Sequence, residues 1–165
     1  MNTRKPIKSF LDLEVYQNTY KASLIVISKI IPNLPKEERF DLADQLRRSS
    51  KAVPRLIAEG YSKKHQVKSF KKYLDDAIGE SNETIVSLSH ARDLYRQHLD
   101  IELCNSLIDI YDKSSRQMFN LAVTWQDFGY RKNIQHQAST SSFETCLPAG
   151  RRASTPSIQH LDHQE

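Results

Sequence analysis

Apolar residues recur every three or four positions in four successive stretches of the chain, with polar residues between them, the pattern of amphipathic helices that turn one face to a core. In the first stretch the stripe is Leu13, Tyr16, Tyr20, Leu24, Ile27 and Ile31, with Ser9 as N-cap and Pro32 ending the helix. A second helix opens at Lys36, Glu37 and Glu38, its acids near the positive end of the dipole, and turns Phe40, Ala43, Leu46, Ser50, Val53 and Ile57 inward. Pro54 lies inside this pattern and predicts a kink, because the period continues past it. Gly60 predicts a helix end or a flexible point.

The third helix is expected from Val67 to Tyr95, with Phe70, Leu74, Ala77, Ser81, Ile85, Leu88, Ala91 and Tyr95 on one side and close packing over Gly79. The fourth is expected from Ile101 to Phe128, capped by Asp100, with Leu103, Leu107, Ile110, Met118, Leu121, Trp125 and Phe128 inward. Matched long helices with short connections predict an all-α, up-down-up-down four-helix bundle over residues 1–130. Beyond Gly129 the run Ser139 to Ser142 and the residues Pro148, Gly150 and Pro156 carry no period, so residues 131–165 are expected to form a disordered tail.

Composition agrees with one helical domain: 165 residues, 38% hydrophobic and 27% charged, with only 4 Gly and 6 Pro to supply the turns a sheet protein needs. No apolar run approaches the roughly 18 to 20 residues of a membrane span, and the start, with Arg4, Lys5 and Pro6, shows no hydrophobic signal region. A cytoplasmic location is expected. Cys104 and Cys146 are too few for a disulfide framework, so both are expected as thiols.

Charge changes the picture most. Between Arg47 and Lys72 stand nine basic residues (Arg47, Arg48, Lys51, Arg55, Lys63, Lys64, Lys68, Lys71 and Lys72) against one acid, Glu59. This local charge of +8 leaves −4 for the remainder of a chain whose total is +4. On a helical wheel Arg47, Lys51 and Arg55 share a face with Arg48 beside them, away from Leu46, Ser50, Val53 and Ile57. Cations at such intervals suit a phosphate backbone, which rewards them through counterion release, so RNA or DNA is the expected partner. A solvated basic face is the alternative. Only Tyr61 and Tyr73 lie near the block, which favours backbone contact over base stacking. Glu59 is expected to pair with Arg55 or Arg48.

Catalytic chemistry finds no foothold. A di-iron bundle needs Glu-x-x-His pairs, and no Glu is followed three residues later by His. His90 falls off the apolar stripe, His136, His160 and His163 are too irregular for zinc, and Cys104 sits beside Leu103 and Leu107 as a buried thiol. No phosphate-binding glycine loop or nucleophile elbow is present. No catalytic residue, metal, cofactor or small-molecule substrate is therefore expected. Trp125, Phe119 and Phe128 are expected in the core, and Tyr16, Tyr20, Tyr111 or Phe128 are candidates for lateral anchors between copies of the chain.

The segment Gln45-Leu46-Arg47-Arg48, then Val53-Pro54, then Ile57-Ala58-Glu59-Gly60, resembles the signature of the four helix bundle proteins first named for an intervening sequence in ribosomal RNA genes. Phe10, Leu13, Val15, Tyr16 and Gln17 look like that family's opening, and Phe70, Tyr73, Leu74, Ala77, Gly79 and Glu83 like its third helix. The chain departs from the pattern at Ala52, Leu56 and Glu80, where the family usually places Ser, Asn and Ser. The resemblance implies a non-enzymatic protomer that assembles into a ring, typically a pentamer, and makes Pro54, Glu59 and Gly60 structural motif residues. The chain is also similar to the accessory proteins of diversity-generating retroelements, which bind nucleic acid and a reverse transcriptase. A protein-interaction scaffold whose basic face docks an acidic partner is the competing expectation.

Overall fold

The computed structural model describes the backbone of residues 7–144 and the side chains of residues 7–125. Four helices follow one another and pack in sequence: α1 (Glu14–Ile25), α2 (Leu42–Ser62), α3 (Val67–Leu94) and α4 (Ile101–Glu144). No helix among the described residues is long and apolar enough to cross a membrane.

The first helix differs from the expected stripe. Ser9 does cap, but it caps a single 3-10 turn, Phe10–Asp12, in a reciprocal box with Asp12. α1 then passes into a π-helical turn, Val26–Ile30, and a 3-10 turn, Ile31–Asn33, that contains Pro32. Its buried residues are Val15, Thr19, Ala22 and Ser23, followed by Val26 and Ile30, whereas Tyr20 and Leu24 are 47% and 49% exposed. The core face is rich in small and hydroxylated residues. Thr19 and Ser23 donate back to the carbonyls of Val15 (2.8 Å) and Tyr20 (2.7 Å), which satisfies their hydroxyls and lets a weakly apolar face be buried.

α2 also starts later than expected. Lys36–Phe40 form a 3-10 turn, and Phe40, expected in the core, is 86% exposed. Glu38 keeps its expected place at the positive helix end: its carboxylate accepts from the Leu42 N–H at 3.3 Å and from the Tyr95 hydroxyl, which ties this turn to the end of α3. The chain stays helical through Pro54, which is buried. Gly60 is no terminus. It lies inside α2, where a Cβ would come within 2.9 Å of the Tyr73 Cβ, so its bare backbone allows α2 and α3 to approach closely. Gly79 is the reverse case: nothing lies within 4 Å of the position a Cβ would take, and the expected close packing is absent.

Leu46, Val53, Ile57, Phe70, Leu74, Ala77, Leu88, Leu107, Tyr111 and Met118 form the centre of the core. Asp100 caps α4 as expected, accepting from the Leu103 N–H at 3.1 Å. α4 buries Leu107 and Met118 as expected, together with Cys104, Tyr111, Ser114 and Ala122, while the expected Leu103, Ile110, Leu121 and Trp125 pack on the flank. Tyr111 is thus a core residue rather than a lateral anchor, and Phe119, expected inside, is 60% exposed. Helix-to-helix hydroxyl contacts cross this core: Thr84 to Ser49 at 2.9 Å, Ser115 to Ser81 at 2.9 Å, and Ser81 to the Tyr111 carbonyl at 3.1 Å. α4 continues helically past the expected end at Phe128, as far as Glu144. Residues 145–165 of the expected tail, and the side chains of Phe128, His136, His160, His163 and Cys146, lie outside the described residues.

Candidate nucleic-acid interface

The nine expected cations fall into two groups that the charge count does not separate. Arg47, Arg48, Lys51 and Arg55 lie on α2. Arg47 and Arg48 both reach Asp44, at 3.9 and 3.7 Å, and Arg55 reaches Glu59 at 3.7 Å, as expected for Glu59. Such exposed pairs contribute little stability, yet they reduce the charge offered to a partner. Across from them, α3 contributes two further acids: Arg48, Lys51, Ala52 and Arg55 share a cleft of about 500 Å³ with Glu80 and Glu83. Burial raises the Glu80 carboxyl above its ordinary range, and the neighbouring Glu83 adds to this, while Arg55 and Arg48 pull it back. Four cations are therefore met by four carboxylates, Asp44, Glu59, Glu80 and Glu83. Asp44 lies three residues before the basic block begins, and Glu80 and Glu83 lie beyond its end, so a count restricted to the block omits them.

The second group makes no ion pair within the described residues. Lys63 is the C-cap of α2, Lys64 and His65 stand in the turn, and Lys68, Lys71 and Lys72 occupy the first two turns of α3. No described carboxylate pairs with any of these five lysines. The first turn of α3 has no acid, and its N-cap Gln66 makes no side-chain cap, so the positive end of the helix dipole adds to the lysine field. The turn itself is held firmly. Lys63 and Lys64 donate backbone N–H bonds to the Gly60 (2.8 Å) and Tyr61 (3.2 Å) carbonyls, the Lys64 ammonium lies 3.9 Å over the centre of the Tyr61 ring, and Trp125 Nε1 donates to the Lys64 carbonyl at 2.8 Å. Trp125 also packs edge-on against Phe70, with ring centres 5.0 Å apart.

A different surface lies on the other side of α2. Phe10, Tyr16, Tyr20, Leu24, Ile27, Pro54 and Ala58 line an apolar groove of about 370 Å³, with Lys51 and Arg55 on its edge. Four residues of the expected stripe, Tyr16, Tyr20, Leu24 and Ile27, line this groove while Leu13 is buried in the core, and Tyr16 and Tyr20 stack there with ring centres 5.9 Å apart. Of the motif residues, Pro54 lines the groove, Glu59 pairs with Arg55, and Gly60 sets the α2 to α3 approach. Cys104 is buried and His90 exposed, as expected. Among the described residues no group of three or more His, Cys, Asp or Glu is placed to hold a metal ion.

Comparison with curated proteins and with solved structures gave no match. The family model of the 23S rRNA-intervening sequence protein matches residues 11–120, which takes in α1, α2, α3 and the start of α4, and with it the whole basic surface. The chain belongs to the 23S rRNA-intervening sequence protein family.

Proposed function

We propose that this protein is a non-enzymatic homo-oligomer, a pentamer by family resemblance, that binds the backbone of RNA or DNA through its basic surface. The observation that carries the reading is the cluster of five lysines at the α2 to α3 turn, unpaired with any described acid and set on a turn fixed by Trp125. Phosphate contacts of this kind position a nucleic acid without reading its sequence. Copies of the chain in one assembly multiply the patch, so that weak single contacts add through avidity. The apolar groove between α1 and α2 supports the oligomeric part, because tyrosines flanked by aliphatic residues make good interface anchors.

The test is an anisotropy titration of labelled RNA and DNA, single-stranded and duplex, at several salt concentrations, with light scattering for the mass of the assembly. A steep salt dependence with little sequence preference is expected, from a species several protomers in mass. Absence of binding at low salt overturns the reading. One observation favours a second reading, a scaffold for an acidic protein partner such as a reverse transcriptase: the apolar groove carries Lys51 and Arg55 on its edge, as an acidic amphipathic segment requires. An assembly that binds no nucleic acid but retains such a partner decides for it.

A further inference from the structure

We propose that Glu80 and Glu83 are specificity-determining residues of the basic surface: they close its α2 half to a phosphodiester backbone and confine docking to the lysine turn. The inference rests on the nucleic-acid reading above and adds which cations a polyanion uses.

The cleft between α2 and α3 places Arg48, Lys51 and Arg55 on one wall and Glu80 and Glu83 on the other. A phosphate entering it meets two carboxylates across the cleft, and with Asp44 and Glu59 on α2 the four cations face four acids, so little net attraction is left for a further negative group. Arg48 and Arg55 are further occupied by Asp44 and Glu59 along their own helix. At the lysine turn no described acid is in ion-pair contact with a lysine, and the nearest acids on α3, Asp75 and Asp76, stand a turn further along the helix, so a backbone meets a net attraction there.

The same arrangement makes the closure reversible by acid. The charged groups around the Glu80 carboxylate are Arg48, Lys51 and Arg55 from α2 and Glu83 and Asp76 from α3. Glu80 is half-buried and gives up its charge at higher pH than an ordinary carboxylate, so acidification weakens this side of the acidic wall first while the three cations persist.

The experiment compares the full-length protein with E80Q/E83Q, and with E102Q/D109N, which removes two acids from α4 outside the cleft. Labelled single-stranded RNA is titrated at several salt concentrations, at neutral pH and at about pH 5.5. Circular dichroism confirms that each variant folds. For E80Q/E83Q at neutral pH, three newly usable cations at about 0.7 each should steepen the slope of log affinity against log salt by about 2, with about tenfold to hundredfold tighter binding at low salt. The acid-induced gain of the unaltered protein should exceed that of E80Q/E83Q, which lacks the Glu80 carboxyl.

An unchanged salt slope in E80Q/E83Q overturns the proposal while leaving the nucleic-acid reading intact, and so does an equal gain in E102Q/D109N, which would mark a net-charge effect. If neither the unaltered protein nor E80Q/E83Q binds at low salt, the functional reading falls and this inference with it.

Discussion

Trp125 on α4 donates its indole N–H to the backbone carbonyl of Lys64, 61 residues earlier, at 2.8 Å. The bond spans from the last helix to the turn that carries the free lysines, so the shape of that turn is enforced from outside its own segment. Trp125→Phe keeps the edge contact with Phe70 in outline and removes the donor. It is expected to cost about 1 to 2 kcal/mol, measured by urea denaturation followed by circular dichroism. An unaltered midpoint would show that the bond does not hold the turn.

The same tryptophan, the single one in the chain, is a built-in reporter. A polyanion docked on Lys63, Lys64 and Lys68 changes the field at the indole, and Trp125 emission is expected to shift or quench in step with anisotropy. Saturable binding with constant emission would place the contact elsewhere.

Removing the two cation groups separately should give unequal results. Alanine at Lys63, Lys64, Lys68, Lys71 and Lys72 together is expected to weaken binding across all sequences and to lower the salt slope by about 3 to 4. Alanine at Arg47, Arg48, Lys51 and Arg55 removes cations already met by Asp44, Glu59, Glu80 and Glu83, and is expected to have a smaller effect. Equal losses in the two variants would count against a lysine-centred interface.

The two helical glycines on α2 and α3 predict opposite signs. Gly60→Ala forces a methyl to within 2.9 Å of the Tyr73 Cβ, part of the stiff base of a side chain, and should destabilise the protein by about 1 to 3 kcal/mol. Gly79→Ala meets open space and should stabilise by up to about 1 kcal/mol, through helix propensity and a less flexible unfolded chain. Thermal unfolding of both variants checks the pair of signs.

Alkaline pH should weaken the fold through two phenols. Burial pushes the Tyr111 hydroxyl far above the ordinary tyrosine range, and the hydrogen bond to Glu38 followed by burial raises Tyr95. In the unfolded chain both ionise near pH 10, while in the fold they hold their protons longer, so the unfolded state binds fewer protons and stability falls as pH rises past about 10. The Tyr111 hydroxyl has no hydrogen-bond partner among the described residues. Tyr111→Phe is therefore expected to stabilise by about 1 kcal/mol at neutral pH and to remove part of the alkaline decline, as measured by urea midpoints across pH.

Four helices, their order and the short α2 to α3 and α3 to α4 connections were legible because long apolar periods survive local exceptions, whereas the α1 to α2 link is a longer run of π and 3-10 turns. What misled was hydrophobic weight. On the first helix Tyr16, Tyr20 and Leu24 outweigh Thr19, Ala22 and Ser23, yet the small residues face the core, where the Thr19 and Ser23 hydroxyls bond to their own helix. Gly60 and Gly79 look alike in sequence and differ only in what stands opposite, which is a tertiary fact. The basic block was legible, and so was the ion pair of Arg55 with Glu59, because both are local. Its division was not, since Glu80 and Glu83 reach the α2 cations only once α3 folds back along α2.

Hydroxyl pairs inside the core, Ser49 with Thr84 and Ser81 with Ser115, give the bundle a discrete rather than a continuous set of alignments. An interface of aliphatic side chains alone lets one rod glide past another at small cost. Here a glide of α3 along its axis would part both pairs together and strand their oxygens away from water, so intermediate offsets are penalised. The acidic wall rides on this rod while Arg48, Lys51 and Arg55 ride on α2, so the alignment of the two sides of their cleft is locked in the same steps.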